Sequence, residues 1–134
     1  MKNKLVWFGT AIFMTTLLVG CNDSQMGYVT GKVLIDGEPA KKDLVVRFHP
    51  QTPGGSFSTG ITDESGNYEM HFSTTKKGVQ TGPNRISIEP RATPAGQPAI
   101  PEFLKSFNKN SPPVYEVKPG RQTYDIHIES QPKK

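Results

Sequence analysis

The chain has a single cysteine among its 134 residues, and that residue is Cys21. No internal disulfide can form, although small exported domains commonly rely on such staples. Histidine is scarce as well: His49, His71 and His127 are the three, with no H-x-H or H-x-x-x-H spacing. That excludes the compact histidine motifs of zinc and iron sites. The three are read as surface histidines, and no metal or other cofactor is expected. No glycine-rich loop leads into a helical pattern, which excludes a phosphate cradle, and no serine stands in a nucleophile elbow. With no catalytic constellation left, the chain is expected not to be an enzyme. The adjacent basic pairs, Lys41-Lys42, Lys76-Lys77 and Lys133-Lys134, are not interleaved with aromatics, so no nucleic-acid partner is expected.

What the chain has in quantity is turn formers, thirteen glycines and twelve prolines, in a length that suits one domain. The formal charge of +4 includes Lys2 and Lys4; the remaining fourteen basic and twelve acidic residues leave the rest nearly neutral. Lys2 and Lys4 precede a sixteen-residue stretch, 5–20, without a charge. A spanning helix needs about 20 apolar residues. This run is shorter, is softened by Thr10, Thr15 and Thr16, and ends in small residues, the pattern of a secretory signal peptide.

Its ending, Leu18-Val19-Gly20-Cys21, resembles the bacterial lipobox. The resemblance implies cleavage between Gly20 and Cys21, diacylation of the Cys21 thiol and acylation of the new N-terminus. The implied partner is a membrane, held through the acyl chains on Cys21. Each buried methylene contributes about 0.8 kcal/mol, so two or three chains anchor stably where one holds marginally. Asn22 rather than an aspartate follows the cysteine, with Asp23 next; by the sorting pattern of some Gram-negative lipoproteins this leans toward the outer membrane, on its periplasmic or surface face. Residues 21–27 form a polar tether.

From Tyr28 onward the hydrophobic period is two. Val29, Gly31, Val33 and Ile35 share one face; Leu44, Val46 and Phe48 do so next; then come Tyr68, Met70 and Phe72, Ile86 and Ile88, and finally Tyr124, Ile126 and Ile128. Asp36-Gly37 and Asp63-Glu64-Ser65-Gly66-Asn67 are turn signals, and residues 57–62 and 114–117 are weaker strands. About seven short strands without a convincing long helix predict an all-β sandwich of the immunoglobulin-like type over residues 28–130, with a fraying tail at 131–134. Residues 90–113, with six prolines, predict a long loop. Within it residues 102–107 could form a helical turn, offering Phe103, Leu104 and Phe107 to the body.

Val33-Leu34-Ile35-Asp36-Gly37-Glu38-Pro39-Ala40, Val45-Val46-Arg47-Phe48 and Thr62-Asp63-Glu64-Ser65-Gly66-Asn67-Tyr68-Glu69-Met70 together resemble the carboxypeptidase regulatory-like domain. Ile100-Pro101, Val117-Lys118-Pro119-Gly120 and Tyr124-Asp125-Ile126 look like the small planctomycete-type lipoproteins that carry it. Met70 stands where that family usually has Leu. The resemblance implies a transthyretin-like β-sandwich with a structural, adhesion or assembly role. In that reading Gly66 supplies a positive φ, Asp63 bonds turn amides, and Tyr68 and Met70 fill the core. Asp63, Glu64 and Asn67 lack the spaced oxygen ligands of a calcium loop. The alternative function is a carbohydrate- or peptide-binding module working through residues 90–113 or a sheet edge, with Phe57, Phe103, Phe107 and Tyr115 as candidate contacts. The protein or glycan partner is not specified by these residues.

Overall fold

The computed structural model describes residues 26–110 and 113–131; the leader, Gly20, Cys21 and residues 132–134 lie outside them. The described chain runs β1 (Met26–Ile35), β2 (Glu38–Pro39), β3 (Leu44–Pro50), β4 (Ser58–Ile61), β5 (Asn67–Glu69), β6 (Val79–Gln80), β7 (Gly82–Pro90), α1 (Glu102–Asn110), β8 (Val114–Val117), β9 (Gly120–Thr123) and β10 (Ile126–Ile128). Two sheets enclose one core, an all-β sandwich. Among the described residues no helix is long and apolar enough to cross a membrane.

One sheet is built around β1. Along one flank β6, β5 and β2 pair with it antiparallel in succession; along the other β9 and then β10 pair with it parallel. The second sheet is antiparallel in the order β4-β3-β7-β8. The alternation read from the sequence holds for most inward positions; Phe72 does not join the core beside Tyr68 and Met70, and Val45, on the opposite parity to Val46 and Phe48, is buried as well. Val29 and Val33, Val46 and Phe48, Tyr68 and Met70, Ile86 and Ile88, and Ile126 and Ile128 all enter the shared core.

Three expectations need correction. β1 begins at Met26, so Met26 and Gly27 belong to the sheet and not to a tether. Ten strands replace about seven. The extra ones are segments of two to four residues that lack a pattern of their own and pair because β1 exposes both edges over ten residues. Residues 90–113 are not one loop, since nine of them form α1.

The tightest packing lies at Gly31. It faces inward between Val29 and Val33, pairs with Tyr68 on one flank, and meets the Tyr124 carbonyl on the other. The Tyr68 ring covers the bare glycine, an aromatic filling the space a side chain leaves open, and its hydroxyl donates to the Tyr124 carbonyl oxygen. Phe48, from the opposite sheet, packs its ring against Tyr68, Tyr115 and Tyr124 with centroids 6.3–6.5 Å away. Burial pushes the Tyr68 hydroxyl far above its ordinary range, so it remains a donor.

A Cβ on Gly31 would overlap the Tyr124 carbonyl and sit 2.8 Å from the Tyr68 hydroxyl. Backbone on one side and a buried ring on the other leave it no room. Gly31→Ala is therefore expected to destabilise the fold by about 3 kcal/mol, read as a lowered urea midpoint at unchanged slope.

Candidate functional site

The chemistry-bearing side chains gather on the outer face of the four-stranded sheet. The inward parity of β3 and β7 is taken by Val46, Phe48, Ile86 and Ile88, so their neighbours must point out. Register then sets Arg47 beside Ser87 and His49 beside Arg85. The Arg47 guanidinium pairs with Glu89, and His49 Nε2 lies 2.9 Å from Ser87 Oγ. Phe57, just before β4, stands 54% exposed with its ring 5.8 Å from the His49 ring and 6.0 Å from Arg47 Cζ. Partial burial, then the cations Arg47 and Arg85, hold the His49 imidazole below its ordinary range, with Glu89 opposing.

A neutral histidine beside a serine hydroxyl is half of a nucleophilic pair. The other parts are not assembled here. Glu89, the nearby carboxylate, is engaged by Arg47, and Ser87 sits in the middle of a strand on an open sheet face. The arrangement is suited to surface contact through an aromatic ring flanked by polar groups. His127 on β10 and His71, in an isolated bridge beyond the end of β5, lie elsewhere and are exposed. Among the described residues no group of three or more His, Cys, Asp and Glu is placed to hold a metal ion.

The hairpin motif does the local work expected of it. Asp63 Oδ1 accepts from the amides of Ser65 at 2.8 Å and Asn67 at 3.0 Å, Gly66 takes φ +77°, and the Asn67 amide is the main cause holding the Asp63 carboxyl below the usual carboxylate range. Thr62 Oγ1 donates to the Lys41 carbonyl and accepts from the Leu44 amide. At the other turn, Asp36 and Gly37 both take positive φ and form a two-residue hairpin loop. Its Asp36 carboxylate receives the Ser130 hydroxyl and amide, which lower its pKa in that order.

No protein-family model, curated protein or solved structure matches this chain.

The residues singled out from the sequence are not gathered into one place. Gly20 and Cys21 lie outside the described residues. Phe103 and Phe107 are half-buried on α1 and pack against the core, lining a shallow depression of about 390 Å³ with Ile128 and Glu129. Tyr115 is half-buried on β8, stacked on Tyr124 at 4.2 Å between centroids, with its hydroxyl donating to Gln122 Oε1. Phe57 alone of the four candidate aromatics is mainly exposed.

A residue the sequence did not advertise does more than any of them in this region. Past the end of β8, β7 would present bare backbone groups, a template for unwanted pairing. The Asn108 side chain fills that place: its Oδ1 accepts from the Ile88 amide at 2.9 Å, and its Nδ2 donates to the Ile88 carbonyl at 2.7 Å. The helix thus covers a sheet edge by one amide that imitates a strand. A lone asparagine in a helical segment carries no signal of this; only the packing of α1 on β7 reveals it.

Two outcomes follow. Asn108→Ala should cost about 2 kcal/mol, because both Ile88 backbone groups lose their partner. Native-state hydrogen exchange should show a faster Ile88 amide, while Lys109→Ala on the same helix stays within about 0.5 kcal/mol of the parent. For His49 the sign runs against acid. The folded chain keeps the ring neutral, while the unfolded chain takes up a proton as pH falls through about 6.5. Folding stability should therefore decline below that pH, and in His49→Gln the decline, followed by denaturant midpoints across the acid range, should be smaller.

Proposed function

We propose that this chain is an exported, lipid-anchored envelope protein, held at the bacterial membrane through acyl chains on Cys21. Its β-sandwich, of the carboxypeptidase regulatory-like, transthyretin-like type, serves a structural, adhesion or assembly role without catalysis. The observation that carries this is Leu18-Val19-Gly20-Cys21 at the end of a charged and then apolar leader. Two features of the fold support it. β1 starts at Met26, so only residues 22–25 separate the lipidated position from the sheet, a spacing that suits a domain held against a bilayer. The motif residues Thr62, Asp63, Gly66 and Tyr68 are each occupied in holding backbone or core, which suits a display scaffold. The outer location leans to the outer membrane by the Asn22 criterion.

Intact mass of the protein purified from membranes tests this. The expected species begins at Cys21 and carries acyl mass; Cys21→Ser should lose the acyl mass and keep its leader. A membrane-purified chain with an unmodified Cys21 would overturn the anchor.

A further inference from the structure

The two ends of the sandwich carry opposite charge. At the end where β1 begins, the connecting segments are 51–57, 72–78 and 118–121. They contain Lys76, Lys77, Lys118 and Arg121 and no carboxylate. At the end where β1 finishes, segments 36–43, 62–67, 90–101 and 129–131 contain six carboxylates (Asp36, Glu38, Asp43, Asp63, Glu64 and Glu129) against three cations. Strand register fixes these positions. Gly27 pairs with Val79 and with Gly120, and Tyr28 sits beside Arg121, while Ile35 pairs with Glu38 and Ile128.

The basic end is open to a partner. Lys76, Lys77, Lys118 and Arg121 are all exposed. Lys77 is engaged by Glu69 at 2.6 Å. Among the described residues Lys76, Lys118 and Arg121 have no carboxylate within ion-pair distance, and Glu116 on β8 is the other acid nearby. Tyr28, 48% exposed, and Phe57, 54% exposed, flank this end with amphipathic or apolar rings.

We infer that this end is a membrane-docking surface, on which Lys76, Lys118 and Arg121 contact the phosphates of an anionic bilayer. The inference rests on the anchor proposed above, and geometry selects the end. Five Cα steps from Cys21 to Met26 reach at most about 18 Å. The other end of β1 lies about 30 Å farther on, at about 3.3 Å per residue. A lipid on Cys21 therefore holds the basic end within reach of the headgroups and keeps the acidic end away from them. Attraction of Lys and Arg to an anionic surface and repulsion of the far carboxylates then act in the same direction. The domain stands with β1 steep to the bilayer and presents the Asp36 and Asp63 turns outward.

Lysine footprinting of the full chain tests this, with a water-soluble acylating reagent and vesicles of either phosphatidylcholine alone or phosphatidylcholine with phosphatidylglycerol. On the anionic vesicles Lys76 and Lys118 should react about fivefold more slowly relative to Lys41 and Lys42 than on the neutral ones, the factor expected from one cation at such a surface. The difference should vanish at about 0.5 M NaCl, where screening is several times shorter in range. In Lys118→Gln/Arg121→Gln the protection of Lys76 should fall. Equal relative rates on both vesicles, or undiminished protection in the double variant, would overturn the docking surface. Intact mass of the same sample decides the anchor separately. Acyl mass without selective protection leaves the anchor standing and removes the surface; selective protection without acyl mass does the reverse.

Discussion

Among the described glycines, Gly31 is where the first sheet leaves least room for a side chain. β1 passes between β5 and the β9–β10 track, and at this level the Tyr124 carbonyl projects into the space a side chain would take. Because that space is empty, the Tyr68 ring can lie across β1 and its hydroxyl can satisfy the carbonyl. A buried carbonyl without a donor would cost about 1–3 kcal/mol, so the bond and the missing side chain are one device. Phe48 then locks this arrangement to the opposite sheet. The long central strand, the parallel return of the C-terminal strands and the aromatic core all depend on it.

Around that centre the sandwich closes its margins by different means. On one side β4 belongs to the second sheet yet exchanges backbone bonds with His71 (Thr59 N to His71 O at 2.9 Å and the reverse at 2.8 Å), stitching the two sheets together. On the other side α1 lies against β7 and Asn108 occupies the edge. Leu104 anchors the helix in the core, and Phe103 and Phe107 flank it. With these margins closed, the polar chemistry of the molecule is left on broad faces and at the two ends.

Much of the fold was legible because its signals are local. Alternation at period two named Val29, Val33, Val46, Phe48, Ile86 and Ile88 as inward. Asp36-Gly37 and the Asp63–Asn67 turn were readable because a positive φ and an Asx-type bond need particular residues at particular offsets. β9 was not legible, since Gly120-Arg121-Gln122-Thr123 has no apolar alternation and becomes a strand only by lying beside Gly27, Tyr28, Val29 and Thr30. The His49–Ser87 pair was hidden for a similar reason: 38 residues separate the two, and only the β3–β7 register brings them level. Prolines at both ends of residues 90–113 suggested a loop, yet between Pro101 and Pro112 the stretch contains none, and Glu102 in the first turn with Lys109 in the last complements a helix.

By itself, then, the sequence determined which side chains face inward and where the chain turns, and it carries the lipobox-like ending at Cys21. Each of these depends on neighbours within a few residues, where backbone sterics and side-chain parity act directly. The tertiary structure alone decided that Gly31 must be bare, that Asn108 closes an edge, that Tyr115 turns toward the body while Phe57 stays out, and that four cations from separate segments collect at one end. Those are properties of register and packing between distant segments, and no local pattern encodes them.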